Sequence, residues 1–171
     1  IWVYMGPSEK QPPLPKLDWT AVPANQRSVM KVIQGCNWLQ GLEGGIDTVH
    51  TVFLNRNLHW AGYRAMESAR SLSYAVEVEV VPTNYGFAYA GIRHMAEGTD
   101  YVRAYHLIMP FHQYRPLLFN AESENRPRVN SHIWVPMDDE TTMVWNLTWT
   151  YGSEPLSESE MAQKGSGNSF G

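Results

Sequence analysis

An acid and an imidazole stand three residues apart in GCNWLQGLEGGIDTVHTVFLN, residues 35–55. On a helix, Asp47 and His50 share a face. Glu43, one turn earlier, falls on the same stripe, and Leu54 continues it. A face that is apolar except for Glu43, Asp47 and His50 must solvate those groups or give them a partner. A metal ion is one such partner. The spacing predicts a helix from about Cys36 to Asn55, interrupted by Gly41, Gly44 and Gly45. A glycine inside a helix costs on the order of 1 kcal/mol relative to Ala, so three of them predict a distorted or broken helix.

Composition bounds what could surround this stretch. A chain of 171 residues, 43% hydrophobic, with seven Trp and nine Tyr, can bury a sizeable core and is most simply one folded domain with room for an internal cavity. The net charge is −4 and there is no basic run, so nothing in the composition points to a nucleic-acid surface. No stretch approaches the ~18–20 apolar residues of a membrane span, and no signal-peptide pattern is present. The single cysteine, Cys36, rules out an internal disulfide and points to a reducing, cytoplasmic setting.

The elements that must position Asp47 and His50 follow in order. Residues 1–5 alternate like a short strand that Gly6-Pro7 ends. Residues 7–23 carry Pro7, Pro12, Pro13, Pro15 and Pro23, an extended connector. Val29 to Ile33 is a brief apolar run compatible with a strand or a helix entry. After the organising helix, residues 56–73 read as irregular. Val76, Val78 and Val80 alternate with Glu77 and Glu79, a strand with one wet face. Further strands are expected at 85–93, 101–109, 129–135 and 143–150, with turns at Gly98 and at 137–140. Ser157 and Glu160 form a capping box that starts another helix. The fold class is therefore α+β: a long helix packed on a curved antiparallel sheet of about five strands, with an apolar pocket between them.

Asp-x2-His-x4-His is the local signature of a mononuclear iron site in which two His and one carboxylate take one face of Fe(II). Here the pattern is Asp47-x2-His50-x4-Asn55. CNWLQGLEGGIDTVHTVFL resembles the iron-site helix of Rieske non-haem iron ring-hydroxylating oxygenases, large (alpha) subunit, in their phthalate-oxygenase-like branch. IWVYMGP with the following PPLP resembles the strand and connector that leave the Rieske domain. TNYGFAYAGIR, YVRAYHLIMPFHQ and HIWVPMDDETTMVWNLTW resemble successive sheet segments of the catalytic domain, and EPLSESEM the helix entry after them.

The resemblance implies a strand and Pro-rich connector over 1–23 that leave a Rieske domain, and over 24–171 a partial helix-grip (START-like) catalytic domain, truncated at its C-terminal end. It implies a mononuclear Fe(II), a [2Fe–2S] cluster in an N-terminal domain beyond this chain, a reductase as electron donor, O₂ and a small aromatic or apolar acid as substrates, and a homo-trimer or higher oligomer. Residue by residue, Asp47 carries over as the catalytic acid coupling the two metal centres across a subunit boundary. His50 carries over as an iron ligand, and Glu43 as a polar residue near the iron.

Asn55 departs from the pattern, standing where the family has its second His. An amide oxygen is a weaker Fe(II) ligand than imidazole, so iron affinity should fall. His59 is the nearest alternative, out of phase with His50 on a continuous helix. The Cys-x-His and Cys-x2-His pairs of a Rieske cluster, and the family's third iron ligand, an Asp further along, lie outside this sequence, which reads as a fragment. Phe87, Tyr89, Met109 and Trp145 are candidate pocket residues, and Arg93, Arg103 and Arg115 are candidates to meet a substrate carboxylate. Asp138 and Asp139 read as solvated turn acids. Two other readings remain open from the residues: a metal-free helix-grip module for a small apolar ligand, and a family member whose active site has decayed.

Overall fold

The structure is a computed structural model and describes residues 3–50, 75–94, 98–116, 128–158 and 161. Seven strands form one antiparallel sheet: β1 (Arg27–Gln34), β2 (Glu77–Thr83), β3 (Gly86–His94), β4 (Asp100–Ile108), β5 (His112–Pro116), β6 (Arg128–Pro136) and β7 (Thr142–Thr150). Their order is β1-β7-β6-β5-β4-β3-β2, a six-strand meander to whose last strand β1 is added. The chain thus leaves β1 at one edge of the sheet and enters β2 at the other. Helix α2 (Trp38–Ile46), which follows β1, lies on one face of that sheet.

The predicted α+β class, a helix on an antiparallel sheet, is what the chain adopts. Several elements differ from the sequence reading. The run around Val29 to Ile33 is strand β1, paired in register with β7 from Arg27↔Trp149 to Gln34↔Thr142. Strand β5 lacks the alternation that reveals a half-wet strand: His112, Gln113 and Ser131 beside it are all buried. Residues 3–5 are not strand. The connector holds a short 3₁₀ turn, Ser8–Lys10, and the one-turn helix α1 (Asp18–Ala21). The turn at 137–140 is present, with Asp138 Oδ1 accepting the Glu140 and Thr141 amides at 2.9 and 2.6 Å. Those two bonds, Glu140's foremost, hold its carboxyl below the usual range. The turn acid is structural. A helical turn opens after Ser157, whose carbonyl accepts the Met161 amide at 2.9 Å.

Helix α2 is nine residues long, too short to be stable alone. The Asn37 side chain caps it by accepting the Leu39 amide at 2.9 Å, and the Asn37 amide group reaches the Asp139 carbonyl at 3.3 Å. Its buried face packs on the sheet through Leu42, which joins Leu107, Trp134 and Val144 in a core ringed by Trp38, Ile46, Phe87 and Phe111. Burying a leucine there contributes roughly 2 kcal/mol. Gly41 and Gly45 have a specific role in this contact. A Cβ at Gly41 would stand 2.8 Å from Trp134 Cδ1, and one at Gly45 would stand 2.5 Å from its Cη2. The helix backbone therefore rests directly on the indole, and only glycine permits it. The glycines seat the helix; they do not break it.

The opposite face of the sheet has its own cover. Trp149 is fully buried, edge-on to Tyr114 at a centroid distance of 5.3 Å and to Tyr151 at 6.4 Å. Tyr151 O–H donates to Asp18 Oδ2 at 3.0 Å, which ties α1 to the end of β7. Leu17, just before α1, and Leu156 are also buried, and the Leu156 amide donates to the Asn25 carbonyl at 2.9 Å.

Candidate metal-ligand turn at the end of the crossing helix

The helix ends at Ile46, and the break is made by Asp47. Its backbone is extended, φ −60° and ψ 123°, while its amide still donates to Glu43 O at 3.0 Å. The carboxylate then turns back along the chain. Oδ1 accepts the Val49 amide at 2.8 Å, and Oδ2 accepts the His50 amide at 3.0 Å. Oδ2 also meets His50 Nδ1 at 3.0 Å. The arrangement is an Asx-type turn: one acid ends α2 and accepts the amides two and three residues on.

The chemistry of the pair follows from those bonds. A carboxylate can only accept, so His50 Nδ1 carries a proton, and in the neutral ring the lone pair is left on Nε2. Among the described residues Nε2 has no partner. A carboxylate that fixes the tautomer and orientation of an imidazole is the arrangement used behind metal-ligating histidines. Partial burial pushes the Asp47 carboxyl up, but the Val49 and His50 amides together with the imidazole outweigh it, and the net shift is downward. The acid is held ionised. Its side chain keeps 43% of its exposure and His50 keeps 23%, so the pair is half-open to solvent.

The sheet places the other expected residues unevenly. The Glu43 side chain does not join Asp47 and His50. It is exposed and lines a shallow depression with Cys36, Asp139 and Glu140, because the break after Ile46 takes Asp47 and His50 off the helical stripe. Among the described residues, no three His, Cys, Asp or Glu side chains stand close enough to hold a metal. Asn55 and His59 lie outside the described residues. Phe87 and Tyr89 are on the helix side of β3, where Phe87 packs on the core and Tyr89 is buried. Met109 is 56% exposed in the β4–β5 turn. Trp145 is on the other face, because it alternates with Val144, the residue that packs on α2, and Lys31 Nζ lies 5.1 Å from its ring. It takes no part in a pocket between helix and sheet. The alternation alone could not say which face was inside.

Of the three arginines, Arg93 is 3% exposed and donates through Nη2 to the Thr48 carbonyl at 2.7 Å. Arg103 stacks over Tyr105 at 5.2 Å. Gln113 was not singled out by sequence reasoning, yet it is wholly buried on β5 and donates through Nε2 to Gly45 O at 2.7 Å and to Tyr89 Oη at 2.5 Å. A glutamine in a stretch without clear period gives no local signal of such a role. Of the remaining described histidines, His94 lies between Asp100 and Glu77 at the surface, and His106 Nδ1 meets Tyr85 Oη. His112 and His132 are buried and face Ser131 and Asn146. None of the four stands with Asp47 and His50.

Comparison with known proteins gives this turn its context. Residues 3–167 match the family described as LigXa C-terminal domain like. The chain is 35% identical over 156 residues to the 3-chlorobenzoate-3,4-dioxygenase oxygenase subunit of Comamonas testosteroni, covering 88% of this chain and 34% of that protein. It is 29% identical over 161 residues to the phthalate 4,5-dioxygenase oxygenase subunit of Pseudomonas putida, covering 87% and 35%. The chain thus spans about a third of the length of these relatives. In three dimensions it resembles the NdmA QL mutant of Pseudomonas putida CBB5, solved with theobromine, with a TM-score of 0.57 at 13% identity over 88% of this chain and 41% of that one. That likeness is one of fold. With nearly its whole length matched, the chain belongs to the LigXa C-terminal domain like family and is a relative of Rieske-type oxygenase large subunits.

Proposed function

We propose that this chain forms the catalytic-domain portion of a Rieske-type oxygenase that uses O₂ and reductase electrons to hydroxylate or demethylate an aromatic or related apolar acid at a mononuclear iron. One observation carries the reading. Asp47 holds His50 Nδ1 at 3.0 Å and leaves Nε2 as a lone-pair donor at a half-open turn. The donor chemistry fits Fe(II), for which imidazole nitrogen with a carboxylate behind it is a suitable ligand. The names of the relatives, a chlorobenzoate and a phthalate dioxygenase subunit, support the aromatic-acid class.

In this reading His50 Nε2 and Asn55 would hold the iron, with Asn55 in place of an imidazole. Iron bound there would supply the activation of O₂. The chain's own contribution is positional. Asp47 keeps the imidazole in one tautomer, fixes its plane and, being held ionised, cannot release it by protonation near neutral pH. The helix–sheet core keeps that turn in place. The same reading supplies a [2Fe–2S] cluster from a separate domain, with Asp47 coupling it to the iron across a subunit boundary in a trimer, and a reducing, cytoplasmic setting.

The test uses the intact natural polypeptide. Iron content and substrate-dependent O₂ uptake with benzoates and phthalates are measured for the wild type and for His50→Ala. Loss of both in the variant is expected. Retained iron and uptake in His50→Ala would sink the assignment. Asn55→His should raise iron occupancy, since imidazole outcompetes an amide oxygen for Fe(II). Equal occupancy in the two proteins would show that position 55 does not touch the metal.

A further inference from the structure

We infer that Gln113 and Arg93 are positioning residues for the Asp47–His50 pair. From β5 and β3 they hold the carbonyls of Gly45 and Thr48, on either side of Asp47, and so keep the helix broken where the acid must turn back onto the histidine.

The argument starts from hydrogen bonds the helix gives up. In an uninterrupted α-helix the Val49 amide would donate to Gly45 O and the His50 amide to Ile46 O. Both amides instead donate to the Asp47 carboxylate. Gly45, half-buried against the Trp134 indole, loses the helical donor to its carbonyl. Gln113 Nε2 replaces that donor at 2.7 Å. The second proton of the same nitrogen goes to Tyr89 Oη at 2.5 Å; the Gly45 carbonyl, which can only accept, fixes which end of the amide faces the helix. Tyr89 is in turn stacked on Tyr105, with ring centroids 4.7 Å apart, so the glutamine is braced from behind.

On the far side of the break, Thr48 O accepts from Arg93 Nη2 at 2.7 Å. Arg93 is almost wholly buried, and a guanidinium taken out of water holds a carbonyl acceptor strongly. Gly91, two residues earlier on β3, lets the Thr48 side chain approach to 3.3 Å from where a Cβ would sit. The turn is therefore gripped through its backbone from two strands. Without Gln113 that carbonyl loses its donor, and the group that would bond it in a continuous helix is the Val49 amide. Taking that amide back would extend α2 through Asp47 and strip the carboxylate of one of its bonds.

The link to a metal rests on the proposed function; the backbone statement does not. The test has two readouts on the intact polypeptide. Crystal structures of metal-free Gln113→Leu and Arg93→Met, and of the double variant, read the Asp47 ψ angle directly. It is 123° in the wild type, and it is expected to move toward helical values, about −40°, in the variants. In parallel, the dissociation constant for Fe(II) should rise about tenfold for each variant, the effect typical of disturbing a ligand's support. Arg93→Lys, which keeps a donor, should recover part of it. If a variant fails to fold, Gln113→Glu, nearly isosteric but with a carboxylate aimed at the Gly45 carbonyl, serves instead. An Asp47 ψ unchanged in every variant would overturn the inference, whatever iron does. A wild type that binds no iron, with ψ shifted in the variants, would overturn the metal assignment and leave the clamp standing.

Discussion

The two faces of the sheet each bury one tryptophan completely, and they do it by different means. Trp134 lies under a helix backbone that glycines bring within reach of the indole. Trp149 lies under the edges of two tyrosines, beside a connector that ends in the Asp18–Tyr151 hydrogen bond. The first contact fixes a backbone, and through it the turn that carries Asp47 and His50. The second fixes side chains. A face that positions a site by its backbone leaves little room for adjustment, because carbonyls and glycines have fewer ways to give than a tyrosine ring has.

The largest effects should come from removing the two indoles. Trp134→Ala and Trp149→Ala should each cost about 4 kcal/mol, measured by denaturant unfolding. Only Trp134→Ala should also lower iron content per folded protein, since only Trp134 supports α2. Equal iron loss in both variants would erase the distinction between the faces.

A second contrast is acid sensitivity. Burial pushes His112, on the Trp149 face, down to about 4 from the ordinary 6.5. Burial also holds His132, on the helix face, well below its usual value, with the nearby Arg115 charge adding to it. Between the two values for His112 the unfolded chain binds more protons than the folded one, so stability rises with pH. The contribution is complete above about pH 6.5 and is lost as the pH falls toward about 4, up to about 3 kcal/mol for His112. His112→Gln should flatten that part of a stability-versus-pH curve and leave the share of His132. His94, raised by its Asp100 and Glu77 partners, acts in the opposite direction: its small stabilisation is present at low pH and lost as pH rises through its folded value. An unchanged slope in His112→Gln would mean that the buried imidazole is not what the acid attacks.

The smallest contrast lies within α2. Gly45→Ala should cost about 2 kcal/mol, because its Cβ would enter the Trp134 ring. Gly44→Ala, one residue away, meets nothing within 4 Å and should stabilise the helix by up to ~1 kcal/mol. Opposite signs in urea midpoints would sharpen the account of the glycine-seated helix; equal signs would break it.

Much of this architecture is legible in local pattern. The apolar periods around 86–94, 100–108, 128–136 and 142–150 mark strands with a covered face; the alternation through Val78 and Val80 marks strand β2 but not its cover, since Val78 and Val80 are exposed along with Glu77 and Glu79. Asp47 and His50 announce themselves by spacing and by the company of the segment GCNWLQGLEGGIDTVH. Strand β5 does not, because both its faces are buried and its short run, HQYRP, carries no period. Trp145 could be assigned to neither face until Val144 was seen against α2.

By itself, the sequence determined most of the element types, the family and the acid–imidazole pair, since these depend on neighbours along the chain. Tertiary structure decided where the helix stops, what the glycines are for, and that Gln113 and Arg93 reach Gly45 and Thr48. Those partners are separated by 68 and 45 positions, and only the pairing of strands brings them together. A broken helix needs donors for the carbonyls it frees, and no local rule says which distant side chain will provide them.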